Sequence, residues 1–310
     1  MVKYSLNQKT TLSKLISIVG PTASGKTGWA IKLAQKFNGE IVSADSLQLY
    51  RQLDIGTAKP TVAEQNQITH HLINIINPNE EITVTEYKDL AITTISKIHS
   101  CGHLPLLVGG TGLYNQAVLD NLDIPRAAPD NTFRKNLETR LTNQELDTSK
   151  LYQLLLSKDP DAVKFIEPHN SRRIIRALEV IYITGRKLSD IRTKGKPLYN
   201  SLKFGISIPL ETLELKFKKR TKLMLQNGLV EEVKSIINTF GLVKPMGAIG
   251  YKETVQYLEN QISKERLEEL INLHSLQYAK RQMKWFKRDK QITWLEDYQK
   301  LEIKTKAFLN

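Results

Sequence analysis

Residues 20–27 read Gly-Pro-Thr-Ala-Ser-Gly-Lys-Thr, and that spacing of glycines, lysine and hydroxyl is a device for holding phosphate. It fits G-x-x-x-x-G-K-[ST]. Glycine lets the backbone turn its amides inward into an anion-binding concavity. A helix opening at the lysine adds partial positive charge from its N-terminus. The Lys26 ammonium can meet a terminal phosphate, and the Thr27 hydroxyl can ligate Mg²⁺. Gly20, Pro21, Thr22, Ala23, Ser24, Gly25, Lys26 and Thr27 are therefore expected to bind a di- or triphosphate. Whether phosphate is transferred is a separate question. Enzymes that transfer it usually place an acid at the end of a later strand to hold Mg²⁺. Here residues 104–108 run into Gly109-Gly110-Thr111-Gly112, which contains no acid. Asp45 does follow a strand, where open α/β sheets place ligands. It reads either as a site carboxylate or as the cap of a turn with Ser46.

Certain elements must position these groups. Residues 15–19 read as a strand, 26–37 as a helix, 40–44 as a second strand, 87–99 as a helix and 104–108 as an apolar strand. Strand–helix alternation predicts an α/β fold, a P-loop NTPase-like parallel sheet flanked by helices. From residue 120 the pattern is helical only, over 132–141, 149–157, 159–165 and 170–184, with proline-bearing linkers at 123–130 and 194–197. An all-helical insertion is expected there. Residues 202–208 return as a strand, followed by helices over 213–227, 230–239, 250–258 and 265–287 and a short strand over 291–295. The expected division is 1–119 core, 120–197 helical insertion and 198–310 core with basic C-terminal helices.

Composition excludes several classes. Hydrophobic residues are 40% of the 310, too many for a disordered chain. One cysteine, Cys101, rules out an internal disulfide framework and a Cys-rich zinc finger. No apolar run approaches the length of a membrane span. A soluble, cytoplasmic protein without membrane association or an obligate protein partner is expected. His70 and His71 are adjacent and cannot share a face, and His99, Cys101 and His103 fall in a predicted turn, so neither set reads as a metal site.

Lys plus Arg outnumber Asp plus Glu by 45 to 32, a net charge of +13. Such a balance suits polyphosphate or nucleic acid, or simply a solvated surface. Residues 278–290 concentrate it: Lys280, Arg281, Lys284, Lys287, Arg288 and Lys290 against Asp289, with Tyr278, Trp285 and Phe286 between them. Cations can hold RNA phosphates, Lys280 and Arg281 among them, while aromatics stack unpaired bases. The plainer reading makes the aromatics core and the lysines a solvated face. Arg172, Arg173 and Arg176 open another helix, and Arg172 and Arg176 share a face. Ion pairing with Glu179 is the plainer reading there.

The remaining motifs are less generic. Residues 45–60 read DSLQLYRQLDIGTAKP, 70–72 HHL, 108–114 VGGTGLY, 174–185 IIRALEVIYITG, 248–253 AIGYKE and 278–288 YAKRQMKWFKR. Together with GPTASGKT they resemble the bacterial tRNA dimethylallyltransferase family, also called tRNA isopentenyltransferases, over most of the chain. The resemblance implies transfer of a dimethylallyl group from dimethylallyl diphosphate to N6 of the adenosine just 3′ of the anticodon. The tRNAs would be those reading codons that begin with U, and diphosphate would leave. It implies Asp45 as general base or N6 hydrogen-bond acceptor, Thr111 at the mouth of the reaction channel and Arg220 neutralising the diphosphate. It implies Lys26 on the diphosphate and Thr27 on Mg²⁺, the one cofactor. Asp45, Ser46, Leu47 and Gln48 would grip the target adenosine, Gln48 by an amide pairing. Arg134, Asn170, Arg172 and Arg173 would touch the anticodon stem-loop. Lys216 departs from a usual arginine, and Leu276, Lys284 and Lys287 also depart from the family pattern. The chain ends without the zinc-finger tail of eukaryotic relatives, which suggests a bacterial type. Three alternatives stay open. An adenylate isopentenyltransferase would act on free AMP, ADP or ATP. A P-loop small-molecule kinase would need an acid after residue 108. An RNA-binding module with a relic loop would leave Asp45 and Thr111 without purpose.

Overall fold

The computed structural model describes residues 12–125, 130–191 and 193–310. The chain divides into two compact units, Met1–Leu119 with Pro197–Asn310, and Asp120–Lys196.

The first unit is a parallel sheet. It begins β1 (Lys14–Val19), α1 (Lys26–Lys36), β2 (Gly39–Ser43), α2 (Val62–Gln67), β3 (His70–His71), α3 (Val84–Ser100), β4 (Leu104–Gly109) and α4 (Gly112–Leu119). In the second unit follow α5 (Asn131–Thr142), α6 (Thr148–Lys158), a 3₁₀ turn (Pro160–Lys164), α7 (Ser171–Thr184) and α8 (Leu188–Ile191). The first unit resumes with β5 (Asn200–Ile206), α9 (Leu210–Gln226), α10 (Leu229–Phe240), a 3₁₀ turn (Lys244–Gly247) and α11 (Tyr251–Leu258). It closes with α12 (Lys264–Phe286), β6 (Thr293–Leu295) and α13 (Tyr298–Leu309). Among the described residues no helix is long and apolar enough to cross a membrane.

The strands lie in the order β3-β2-β4-β1-β5-β6, every pair parallel. Helices cover both faces, so the central strands are buried almost throughout, β4 at all six positions and β1 at all but Lys14, with Ser17 a buried polar residue within β1. Alternation along β1 sorts its side chains. Ile16 and Ile18 join α1 residues Ala30 and Leu33 and α13 residue Leu301 on one face. Leu15 joins Tyr87, Ala91 and Ile95 of α3 and Val118 of α4 on the other. Register brings Val19 level with Gly109 and Gly205, and Ser43 level with Val108. The segments leaving β1, β2 and β4 therefore emerge together at the carboxyl edge of a P-loop-type α/β sheet.

A further layer of α9, α10, α11 and α12 packs around Met224, Val233, Ile236, Tyr251 and Ile271 and receives Tyr50 and Leu53. It explains much of the 45–60 motif as anchoring. Glu232 accepts the backbone N–H groups of Asp54, Ile55 and Gly56 at 2.9, 2.8 and 3.1 Å and the Tyr251 hydroxyl at 2.7 Å. The buried Lys59 ammonium donates to Tyr50 O, Asp54 Oδ1 and Asn74 Oδ1 at 2.7, 2.6 and 2.6 Å.

The second unit has its own core of Leu137, Leu151, Leu155, Ile174, Ala177 and Leu178. Asp130, Asp147 and Asn170 cap α5, α6 and α7 by accepting a first-turn N–H. The helix expected over 159–165 is only the five-residue 3₁₀ turn. Proline opens it, and buried Asp159 holds Ser189 N and Oγ at 3.0 and 2.6 Å instead of extending α6. The last strand is three residues, and α13, absent from the sequence reading, seals the sheet with Leu301.

Candidate active site

The loop after β1 carries the phosphate motif. Ala23 and Gly25 both take positive φ, 61° and 94°, which turns successive backbone amides the same way. Ser24 N–H donates to Pro21 O at 3.3 Å and closes the turn. Ser24 Oγ is buried without a partner, so the loop holds an orphaned hydroxyl that an incoming anion can satisfy. Lys26 Nζ donates to Pro21 O at 2.7 Å. Its ammonium is enclosed. Burial is the largest influence and Arg220 adds to it, while Asp45 opposes, and together they bring Lys26 down to about 8. Arg220 arrives from α9 and donates to Thr22 Oγ1 at 2.8 Å. Burial pushes it down as well, again opposed by Asp45.

Asp45 sits two residues past β2, in a loop tied to β4. Ala44 N–H donates to Val108 O at 2.8 Å and Thr111 N–H to Ala44 O at 3.1 Å. Gly109 makes this approach possible, because a Cβ there would collide with the Ala44 carbonyl. Thr111 Oγ1 accepts Ser46 N–H at 3.0 Å, and Asp45 Oδ1 accepts Leu47 N–H at 3.0 Å. Asp45 thus does form the turn with Ser46 and Leu47. A carboxylate has lone pairs for further bonds, so the turn does not use it up. Its negative charge reaches three tyrosines from three helices. Burial and, to a lesser degree, Asp45 push Tyr87 and Tyr114 upward and Tyr278 up to about 12. Gln48 Oε1 accepts Ser43 Oγ at 3.1 Å, which fixes the amide and leaves its Nε2 to donate.

One residue the sequence reading passed over joins these two loops. Gln282 of α12 is 6% exposed. Its Oε1 accepts Thr22 N–H at 2.9 Å and its Nε2 donates to Gly110 O at 2.9 Å. The available signal was a lone neutral amide inside YAKRQMKWFKR, one turn from Tyr278. The helix separates its chemistry cleanly. Ala279, Gln282 and Phe286 are buried, while Lys280, Arg281, Lys284, Lys287 and Arg288 are exposed. Trp285 is half-buried against Gly112. A groove of about 700 Å³ runs along this helix, floored by Ile208, Leu210, Leu213 and Met283 and edged by Lys280, Lys284, Lys287 and Arg288.

In the helical unit Glu179 has no exposed surface and accepts Arg134 Nε and Nη2 at 2.9 and 2.8 Å, Arg176 Nη1 at 2.5 Å and Asp130 N–H at 2.7 Å. Burial raises Glu179, and the bonds from Arg134, Arg176 and Asp130 outweigh it and hold it below the carboxylate range. Arg134 is thereby ion-paired to a buried carboxylate of its own unit. Asn170 Oδ1 accepts Arg173 N–H at 3.2 Å as the α7 cap, and Arg172 and Arg173 are exposed.

Away from the site, Glu40 is held by both His71, at 2.5 Å, and His103. His99 bonds Lys14 O at 2.8 Å. Among the described residues no group of three His, Cys, Asp or Glu is placed to hold a metal ion. Lys216, four residues before Arg220, is exposed on α9.

The family model for IPP transferases matches residues 48–289. A tRNA dimethylallyltransferase of Gloeothece citriformis is 43% identical over 283 residues, 91% of either chain. One of Pelotomaculum thermopropionicum is 40% identical over 286 residues, 91% of this chain and 90% of that one. The crystal structure of the tRNA isopentenylpyrophosphate transferase of Bacillus halodurans superposes with a TM-score of 0.70 at 37% identity, covering 96% of this chain and 95% of that one. A eukaryotic dimethylallyltransferase captured acting on tRNA gives 0.71 at 30% identity, covering 88% of this chain and 69% of its own. Agreement this deep over nearly the full length of the bacterial relatives leaves one reading of the fold and its phosphate loop: the chain belongs to the IPP transferase family.

Proposed function

We propose that this chain transfers the dimethylallyl group of dimethylallyl diphosphate to N6 of the adenosine 3′ of the anticodon in tRNA, releasing diphosphate. The observation that carries the reading is a charge arrangement. Lys26 and Arg220 flank a phosphate loop with an orphaned hydroxyl, hydrogen-bond among the described residues to neutral groups, and both feel the charge of Asp45. Such a site calls for an anion and keeps one base beside it.

The alkyl C1–O bond breaks, and its electron pair stays on the departing diphosphate. Lys26, Arg220 and the loop amides stabilise that charge. N6 of the adenine forms the new bond to C1, and Asp45 takes the proton that N6 sheds. Thr111 orients this carboxylate by holding Ser46 N–H. Ser46, Leu47 and Gln48 border the place where the unstacked base must sit. Mg²⁺ would rest on the Thr27 hydroxyl and diphosphate oxygens, supplying further charge neutralisation. Thr27 stands in the first turn of α1, where its hydroxyl can give a hard cation an oxygen ligand. Exposed Lys280 and Arg281 of α12, and Arg172 and Arg173 of α7, suit RNA phosphates.

The test mixes the protein, dimethylallyl diphosphate, Mg²⁺ and an unmodified anticodon stem-loop, and weighs the RNA. One dimethylallyl mass is expected on the loop with adenosine 3′ of the anticodon and none on a loop without it. Modification of free AMP in place of RNA would overturn the acceptor. No modification of either would overturn the reaction.

A further inference from the structure

We infer that Gln282 is a positioning residue for the reaction proposed above, on which this inference rests: it fixes the diphosphate loop and the acceptor-side loop in one geometry. Its carboxamide bridges the loops after β1 and β4, the tightly paired central strands. Each end leads directly to a working group. Thr22, whose N–H bonds Gln282 Oε1, accepts Arg220 with its hydroxyl. Gly110, whose carbonyl accepts Gln282 Nε2, precedes Thr111, whose hydroxyl holds Ser46 beside Asp45.

Bridging these loops requires an acceptor and a donor a fixed distance apart. Thr22 offers an N–H and Gly110 a carbonyl, so a planar amide serves and a carboxylate or hydroxyl does not. The fit is close, because a Cβ on Gly110 would collide with Gln282 Nε2. Without the amide, a half-buried N–H and a buried carbonyl lose their partners, and each loop must shift to find others. Gln282 reaches the reacting atoms only through those loops. It sets where C1 of the donor lies relative to N6 of the acceptor, a separation that must fall near about 3–3.5 Å for attack.

The experiment measures single-turnover transfer at saturating donor and stem-loop, alongside KM for each substrate, affinity for inorganic pyrophosphate and thermal unfolding. Gln282→Leu keeps the bulk and removes both bonds. Gly110→Ala breaks the same contact from the opposite side. For both variants the saturated rate is expected to fall about 10²-fold, the scale of a misplacement near 1 Å. KM and pyrophosphate affinity are expected to stay within about threefold, because Lys26, Arg220 and the RNA-facing cations are untouched. Gln282→Glu, which keeps only the acceptor, should fall between. Undiminished transfer by Gln282→Leu would overturn the inference while wild-type activity keeps the reaction. A rate loss matched by equal losses of pyrophosphate and RNA affinity would also overturn it, reducing Gln282 to packing. A wild-type chain that transfers nothing overturns the reaction first and this inference with it.

Discussion

Arg220 and Arg134 are the same side chain in two electrostatic situations, one in each compact unit. Arg134 lies bidentate on Glu179, a carboxylate shut away from solvent, and Arg176 shares it. The anion there is built into the fold, so both cations have an ion-pair partner without a ligand. Among the described residues Arg220 hydrogen-bonds the neutral Thr22 hydroxyl and neither it nor Lys26 makes an ion pair; the two cations share the more distant charge of the single carboxylate Asp45. Desolvating two cations against one unpaired carboxylate is unfavourable, and a fold retains that arrangement where a further anion comes from outside. The lesson is that a surplus of +13 does not count the cations available for binding. What decides is whether a buried carboxylate already holds them.

The largest effect should come from the one carboxylate in the core site. Asp45→Asn keeps the turn to Leu47 but cannot take a proton. Transfer should fall about 10³-fold, within the range for loss of a general base, with stem-loop affinity nearly unchanged. Parallel losses of rate and affinity in binding and single-turnover assays would remove Asp45 from the chemistry.

Next, paired substitutions set the two arginines directly against each other. Arg220→Met should lower transfer by about 10²–10³-fold, as for a lost group that stabilises transition-state charge, without lowering stability. Arg134→Met should do the reverse. It leaves Glu179 with fewer partners in a dry site, and breaking such a pair costs about 3–5 kcal/mol. Arg176 remains on the carboxylate, so the lower end is expected in denaturant unfolding. If Arg134→Met left stability intact, Glu179 would not be the anchor its burial indicates.

Lys26 sharpens the comparison through pH. Its folded value lies near 8, below the ordinary 10.5. Between these values the unfolded chain holds the proton and the folded one sheds it. Folding stability from this group therefore rises with pH across that window, while attraction for diphosphate falls. kcat/KM for the alkyl donor should decline above about pH 8, approaching tenfold per unit. Arg220→Met removes one of the influences lowering Lys26, so the decline should move to higher pH. A pH profile flat to 10 would mean that Lys26 stays charged in the free enzyme.

These contrasts also show what sequence can carry. The phosphate loop was legible because its parts lie within eight residues and act through backbone geometry. The central strands were legible because burial on both faces leaves a run that is apolar but for Ser17. Arg176–Glu179 is an i,i+3 pair and was visible as such. Arg134 reaches the same carboxylate from 45 positions away, and Gln282 reaches its partners from 172 and 260. No local period encodes those meetings. The glycines of residues 109–112 raised the question of a missing acid, but Gly109 and Gly110 turn out to make room for Ala44 and Gln282. The two-residue β3 was illegible because it exists only through pairing with β2.

The smallest predicted effect separates displayed cations from committed ones. Each lysine or arginine on an RNA phosphate releases counterions, which contributes about 0.7–0.9 to the slope of log affinity against log salt. Lys280 is exposed along the α12 groove and Arg172 is exposed at the start of α7. Lys280→Ala and Arg172→Ala should each weaken stem-loop binding several-fold at moderate salt and flatten that slope by nearly one unit. Arg134→Ala, compared at a temperature where it remains folded, should leave the slope unchanged, because Glu179 already neutralises the guanidinium. A flattened slope for Arg134→Ala would mean that RNA draws Arg134 away from Glu179. Arg176 would then be left to hold that carboxylate alone, and the helical unit would rearrange on binding. Equal slopes for all three variants would place the RNA on neither cationic surface.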